Sequence, residues 1–313
     1  MFIGKPICVA PVGDRCGEGV MWDDSDGAVF WVDIMRFLIH RLDPLEQTVK
    51  TWIFDEPVVG LAPTNVIGTL VLSFGGTVVL WDWKQNRRSK ALFSLPDWPC
   101  ARLNETRADP QGNFWLGSMK NNVLTNGEPG EVGKGLGVLY RMAPDLSVSV
   151  WRTGLGISNT LCWNAQQTKF YFADTLENDI RAYDFGAADA DIHNEQSFFR
   201  SFDRGCPDGS AIDEQGYLWN CRFGGACIVR IAPSGHVDAI VEMPEENITT
   251  CCFGGDDLKS LYISSASWPH RVGDRLGGSL YRLDVGVRGV ATHRFGASVS
   301  VTPLAQFSPD EAP

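Results

Sequence analysis

Short apolar segments alternate with polar turns along the whole chain. In each unit an Asp-, Gly- or Asn-rich turn leads into a segment with paired aromatic or aliphatic residues, and six such units fill the sequence. The central residues of the six apolar segments are Trp31, Val71, Trp115, Tyr171, Trp219 and Tyr262. They are 40 to 56 residues apart, which is close to the length of a four-stranded propeller blade. Each unit therefore predicts one blade.

A second apolar segment follows each of the first ones and alternates apolar with polar residues. This period of two residues is typical of a strand with one solvated face. The six segments are 38–42, 79–81, 139–142, 180–183, 228–231 and 280–283. Few windows keep the 3.6-residue period of an amphipathic helix. We therefore predict an all-β, six-bladed β-propeller formed by residues 1–313 as one domain, with the ring closed by the N-terminal segment or by residues 299–307.

Polar residues at one phase of the repeat predict a site on the propeller axis. Four of them precede the aromatic strand residue of their repeat by 11 to 13 residues: Glu18, Asn104, Asn159 and Asp208. Thr249 and Thr250 have the same phase in the last repeat. The innermost strands of all blades face the central channel. Residues of equal phase are therefore expected to meet there.

Two carboxylates in a narrow channel would repel each other unless a cation compensates them. Glu18, Asp208 and the side-chain oxygen of Asn159 form a set of hard oxygen ligands, which suits calcium, magnesium or manganese, with zinc or ferrous iron also compatible. We expect one divalent metal ion in this site. The same residues also fit ordinary turns, because Pro-Asp-Gly at 207–209 is a common turn sequence and Glu18 stands between two glycines.

Composition limits the expected partners and compartment. The net charge of -11 disfavours binding to nucleic acid and to anionic membranes. No run of about eighteen apolar residues predicts a membrane span, and the N-terminus lacks the pattern of a secretory signal. The nine cysteines are odd in number and contain no Cys-x-x-Cys pair, which favours reduced thiols in a cytoplasmic protein. The sequence does not indicate an oligomeric state.

Several motifs, in the same order along the chain, resemble the SMP-30/gluconolactonase family. They include Gly17-Glu18-Gly19-Val20-Met21-Trp22-Asp23, Arg102-Leu103-Asn104-Glu105, Ile157-Ser158-Asn159, Pro207-Asp208-Gly209 and Thr249-Thr250-Cys251-Cys252-Phe253-Gly254-Gly255. The resemblance spans nearly the whole chain and implies a six-bladed propeller, one divalent metal in the channel and hydrolysis of sugar lactones. It also implies that Glu18, Asn159 and Asp208 are metal ligands. By the same resemblance, Arg102 and Asn104 contact the substrate.

The chain departs from this family after Gly117-Ser118-Met119, where the animal members carry acidic residues. Here the positions are Lys120, Asn121 and Asn122. We expect Lys120 and Asn122 to contact the substrate. A cation and amides in place of carboxylates would suit a different and more anionic sugar lactone, whose identity the sequence leaves open.

These observations predict a metal-dependent hydrolase that opens the lactone ring of a sugar acid. The cation would polarise the carbonyl while water attacks, and Asp208 would both bind the cation and accept a proton. Arg102 would bind the substrate with two hydrogen bonds, although it would equally fit a salt bridge between blades, and Asn104 and Asn122 would fit turn caps. Two alternatives remain: a related propeller esterase or phosphotriesterase acting on a non-sugar ester, and a non-catalytic binding platform.

Overall fold

Six β-sheets form the fold. The computed structural model describes residues 2–124, 128–186, 190–268 and 274–297. Within these ranges, twenty-five strands pair into six antiparallel sheets, and one 3-10 turn at Thr175–Glu177 is the remaining regular element. The predicted all-β, six-bladed propeller is confirmed.

Each blade is one sheet, with its first strand innermost. Blade one contains β2 (Gly17–Asp23), β3 (Ala28–Asp33), β4 (Leu38–Asp43) and β5 (Thr48–Ile53). Blade two contains β6 (Val58–Pro63), β7 (Thr69–Phe74), β8 (Thr77–Asp82), β9 (Arg87–Arg88) and β10 (Phe93–Ser94). Blade three contains β11 (Ala101–Ala108), β12 (Phe114–Lys120), β13 (Gly137–Met142) and β14 (Val148–Leu155).

The second half of the ring repeats this order. Blade four contains β15 (Ser158–Trp163), β16 (Lys169–Asp174), β17 (Asp179–Phe185) and β18 (Ile192–Arg200). Blade five contains β19 (Cys206–Ile212), β20 (Leu218–Phe223), β21 (Cys227–Ile231) and β22 (Val237–Glu242). Blade six contains β23 (Ile248–Gly254), β24 (Ser260–Ser265), β25 (Leu280–Asp284) and the N-terminal strand β1 (Ile7–Ala10).

The N-terminal strand closes the ring. β1 pairs antiparallel with β25, with Ile7 opposite Arg282, and so supplies the outer strand of the last blade. The innermost strands β2, β6, β11, β15, β19 and β23 contact one another in sequence, and β23 contacts β2. Closure by the N-terminal segment was one of the two predicted solutions; the other, residues 299–307, lies outside the described residues.

The predicted aromatic repeat forms the core of the second strands. All six of its residues are at most 4% exposed. Two of the tryptophans are tied to the turn that precedes them, because Asp109 accepts from Trp115 Nε1 at 2.8 Å and Asp213 accepts from Trp219 Nε1 at 3.0 Å. Each aspartate also accepts backbone N–H groups of its own turn. In both blades the turn aspartate and the tryptophan six positions later therefore hold each other in place through a buried hydrogen bond.

Every innermost strand carries a register shift at the same place. The shifts lie between Glu18 and Met21, Val58 and Gly60, Leu103 and Thr106, Asn159 and Cys162, Pro207 and Ser210, and Ile248 and Cys251. A bulge of this kind bends a strand and redirects its side chains. The shifts coincide with the polar positions that the repeat predicted to face the channel.

The segment after β25 crosses one end of the channel. Val290 N donates to Ile212 O in blade five, and Phe295 N donates to Pro63 O in blade two. Between these contacts, Thr292 and His293 cover a cavity of about 60 Å³ that is lined by residues from all six innermost strands. This crossing segment, residues 286–297, therefore closes the channel near the C-terminal ends of the inner strands. The polar residues predicted to face the channel lie in the N-terminal halves of those strands.

Phe295→Ala is expected to destabilise the fold strongly. Phe295 is fully buried and packs against Phe114 with ring centroids 5.6 Å apart. Emptying such a site typically costs about 3–5 kcal/mol. Thermal unfolding should show a clearly lower midpoint, whereas Phe2→Ala, which truncates a side chain that is 68% exposed, should change it little. Equal midpoints for the two variants would show that the crossing segment does not stabilise the ring.

Two further sequence expectations concern thiols and membranes. All nine cysteines are free, and five of them are buried, including the adjacent pair on β23, while Cys100 is exposed. In the part of the chain that the structure describes, no helix has the length and apolarity needed to span a bilayer.

Candidate active site in the propeller channel

The inner-strand bulges of five blades carry buried polar residues. The bulges of β2, β11, β15, β19 and β23 carry Glu18, Asn104, Asn159, Asp208 and Thr249 respectively, and each of these side chains is at most 9% exposed. Blade two has Val59 and Gly60 at this position, so one sector of the channel wall is apolar. The common phase of the repeat thus corresponds to a common location in the structure.

A chain of hydrogen bonds joins blades three, four and five. Arg102 Nη1 donates to Asn104 Oδ1 at 2.7 Å, and Asn104 Nδ2 donates to Asn159 Oδ1 at 3.2 Å. Asn159 Nδ2 then donates to Thr175 Oγ1 at 2.8 Å, and Thr175 Oγ1 donates to the carbonyl of Pro207 at 2.7 Å. The chain ends at the residue before Asp208, so three of the predicted site residues are held in one network.

The two channel carboxylates are buried without a cationic partner. Glu18 accepts a hydrogen bond from the backbone N–H of Gly19, and neither Glu18 nor Asp208 forms an ion pair within the described ranges. Burial raises the pKa of Glu18 to about 8, with a further contribution from the negative charge of Glu105. Burial also raises the pKa of Asp208 well above its usual range, and the charge of Glu18 adds to this rise. The site therefore concentrates negative charge, which the nearby guanidinium groups of Arg102 and Arg107 compensate only in part.

Glu105 and Arg107 are channel residues that the sequence reasoning missed. Glu105 is 5% exposed and pairs with Arg107 at 3.1 Å, while Arg107 Nη1 donates to Ser210 O at 2.8 Å. Arg107 lines the cavity beneath the site, beside His293, whose pKa is lowered to about 4 by burial and by the charge of Arg107. The adjacency of Glu105 to Asn104 in a bulged strand was a usable signal, because both residues of a bulge are redirected.

The predicted substrate contacts fall into two groups. Arg102 is 3% exposed and donates from Nε to Asn122 Oδ1 at 2.9 Å, so Asn122 joins the network. Burial lowers the pKa of Arg102 to about 10, and the nearby thiol of Cys16 and carboxylate of Glu18 oppose this, so the guanidinium stays charged at neutral pH. Lys120 lies one position beyond Met119, the strand partner of Arg102, and its side chain passes close to Gly133. Successive strand residues point to opposite faces, so Lys120 points to the other face of β12 from Met119.

The channel offers oxygen ligands rather than a cluster of histidines or cysteines. Across residues 2–124, 128–186, 190–268 and 274–297, no group of three or more His, Cys, Asp or Glu side chains has an arrangement that could hold a metal ion. The predicted ligands are two carboxylates, Glu18 and Asp208, and one amide, Asn159. Because only two of the three are His, Cys, Asp or Glu, they do not form a group of that kind. Thr250 Oγ1, at the same phase of β23, is buried without a hydrogen-bond partner. Unpaired carboxylates and an amide oxygen fit a hard divalent cation better than a soft one.

Comparisons with known proteins agree with this fold. Residues 16–267 match the family described as SMP-30/Gluconolactonase/LRE-like region. The chain is 31% identical to regucalcin of Danio rerio over 264 residues, covering 84% of this chain and 86% of that protein. It is 30% identical over 254 residues to YvrE of Bacillus subtilis, whose description provisionally assigns sugar lactone lactonase activity, covering 80% of this chain and 83% of that protein.

A solved structure shows the same architecture. The luciferin-regenerating enzyme superposes with a TM-score of 0.84 at 27% identity, covering 94% of this chain and 99% of that one. The family match covers most of the propeller, from the start of its first blade into its last. The chain belongs to the SMP-30/gluconolactonase/LRE-like family.

Proposed function

We propose that the protein is a metal-dependent hydrolase that opens the lactone ring of a sugar acid to give the free sugar acid. The observation that carries this proposal is the pair of buried carboxylates, Glu18 and Asp208, which form no ion pair within the described residues, while Glu18 interacts electrostatically with Asp208 and with the buried guanidinium of Arg102. A cation-binding centre beside a donor-only group suits an ester whose carbonyl oxygen gains negative charge during hydrolysis. Family membership and the assignment of YvrE support the lactone as the ester.

Glu18, Asp208 and the Oδ1 atom of Asn159 would hold the cation, which we propose to be one divalent ion from the set calcium, magnesium, manganese, zinc and ferrous iron. When bound, such an ion supplies Lewis-acid polarisation of a carbonyl. Its positive charge would also offset the repulsion that now raises the pKa of Asp208. The name regucalcin, carried by the Danio rerio relative, is consistent with a divalent ion in the family.

The residues of this chain would divide the remaining work. Arg102 is fixed by hydrogen bonds from Nε and Nη1 to Asn122, Leu103 and Asn104, so its Nη2 group would be left to bind substrate oxygen atoms. Asp208 would accept a proton from the attacking water. Asn104 and Asn122 would act mainly by holding Arg102, since their oxygens already accept from it.

Lys120 is proposed as a contact at the rim of the site rather than in the channel. It is half-buried near Gly133 and forms no ion pair within the described residues. An ammonium group there would favour a lactone that carries a free carboxylate in addition to its lactone ester.

Lys120→Ala is expected to raise KM for such a lactone and to leave KM for a neutral aldonolactone unchanged. Steady-state kinetics on the two substrates would measure this difference, and equal effects on both would remove the proposed role.

The experiment that tests the proposed function compares substrates with and without metal. Protein stripped with a chelator is resupplied with each of the five ions and assayed on aldonolactones, aldarolactones, aryl esters and a phosphotriester. Spontaneous lactone opening is subtracted at controlled pH. Lactone opening should be fastest, should require the ion and should be lost again with chelator. Lactone rates that stay at the spontaneous level with every ion would contradict the proposal. The alternative of a non-sugar esterase or phosphotriesterase is not favoured by the family match or by YvrE.

A further inference from the structure

The hydrogen-bond network of the site has a fixed direction, which begins at Arg102. A guanidinium group only donates hydrogen bonds. The atom of Asn104 that faces Arg102 Nη1 at 2.7 Å must therefore be the amide oxygen. The Nδ2 group of Asn104 is then turned toward blade four, where it donates to Ser158 O at 3.0 Å and to Asn159 Oδ1 at 3.2 Å.

The other end of the network imposes the same direction. The carbonyl oxygen of Pro207 only accepts hydrogen bonds, so the single proton of the Thr175 hydroxyl is used at 2.7 Å from it. The oxygen of Thr175 can then only accept from Asn159, and the Asn159 atom 2.8 Å away must be Nδ2. The Oδ1 atom of Asn159 is consequently turned away from Thr175 and toward Asn104, from which it accepts at 3.2 Å.

Thr175 is itself held rigidly. It opens the 3-10 turn Thr175–Glu177, whose N-cap Asp174 accepts from the backbone N–H of Leu176. Asp174 also accepts from the backbone N–H groups of Gly156 and Ile157, just before β15 begins. The turn carrying Thr175 is thus anchored to the strand carrying Asn159, and the hydroxyl cannot drift away from the amide.

We propose that Thr175 is a positioning residue that selects one of the two amide orientations of Asn159, with Oδ1 rather than Nδ2 facing the cation. This inference rests on the proposed function and names a role for a residue outside the ligand set. An amide that rotates by half a turn presents an N–H group, which cannot bind a cation. Hydrogen bonds to ligating side chains are known to set ligand orientation and affinity in metal sites.

The test measures cation affinity directly, by calorimetric titration of chelator-treated protein with Mn²⁺ and with Ca²⁺. Thr175→Val removes the hydroxyl and is expected to weaken binding about 10- to 100-fold, the usual range for a residue that supports a ligand. Thr175→Ser keeps the hydroxyl and should bind like the native protein. Thr168→Val is the matched control, because Thr168 accepts from Asn164 Nδ2 at 3.0 Å on the same blade, in an exposed turn; its affinity should be unchanged.

Introducing Thr175→Val into an Asn159→Asp variant separates an effect on the orientation of the Asn159 amide from general damage to the fold. In Asn159→Asp both side-chain atoms are oxygens, so either orientation presents a ligand. Adding Thr175→Val to Asn159→Asp should therefore weaken binding far less than Thr175→Val alone. Equal losses in the two backgrounds, or native affinity of Thr175→Val, would overturn the role of Thr175 while leaving the proposed function intact. A native protein that binds neither ion would overturn the role of Thr175 in binding them, and a native protein that binds none of the five proposed ions would overturn the proposed function as well.

Discussion

Asp208→Asn is expected to abolish cation binding and lactone opening while leaving the metal-free fold intact. The substitution removes one of the two negative charges that would hold the cation, and asparagine keeps the size of the side chain. Asp208 is 6% exposed and its pKa is raised by burial and by Glu18, so its charge opposes folding of the metal-free protein. Titration calorimetry and lactone hydrolysis should both fall to background.

Thermal unfolding distinguishes this outcome from misfolding. The midpoint of metal-free Asp208→Asn at pH 8 should equal or exceed that of the metal-free native protein, because an unpaired buried charge has been removed. The midpoint of the native protein should rise when the cation is added, and that of the variant should not. A variant that loses its fold together with its activity would instead support a structural role for Asp208.

The metal-free protein is expected to lose stability as the pH rises from about 5 to 8. Burial and Glu105 raise the pKa of Glu18 from 4.5 to about 8, so the folded protein keeps a proton that the unfolded chain releases near pH 4.5. Stability is then full below the unfolded pKa and declines until the folded pKa is passed, by at most about 1.4 kcal/mol per pH unit for each such group. Midpoints measured in chelator at pH 5, 6.5 and 8 should decrease.

The cation should reverse this trend. Protons and a metal ion compete for the same oxygen atoms, so the stabilisation by Mn²⁺ or Ca²⁺ should grow from pH 5 to pH 8. Glu18→Gln provides the control, because it removes the titrating group and its effect on Asp208, and its metal-free midpoint should depend less on pH. A native metal-free midpoint that rises over this range would be incompatible with a Glu18 carboxyl whose pKa is raised by burial.

The sequence predicted the ring well because blades repeat. Trp31, Trp115 and Trp219 lie in the second strands, and the alternating segments that follow are the third strands. The outer strands had a weaker signal, because strands such as β5 are mostly exposed and lack a consistent apolar face. The crossing segment was not foreseen, since its single-residue bridges leave no strand period in the sequence.

The candidate site was predictable where it follows the repeat and not elsewhere. Glu18, Asn104, Asn159 and Asp208 share one phase, and all four lie at inner-strand bulges. Thr175 belongs to a connection between strands, whose position is set by the fold rather than by the repeat. Lys120 was predicted to contact the substrate from its place after Gly117-Ser118-Met119, but the strand partner of Arg102 is Met119, and alternation along β12 points Lys120 to the other face of the strand.

The most direct test of this account is anomalous diffraction from crystals of the protein soaked in Mn²⁺. We expect one strong anomalous peak in the channel, within about 2.5 Å of carboxylate oxygens of Glu18 and Asp208 and of Asn159 Oδ1. A peak located elsewhere, or a channel without a peak at a Mn²⁺ concentration that supports lactone hydrolysis, would contradict it.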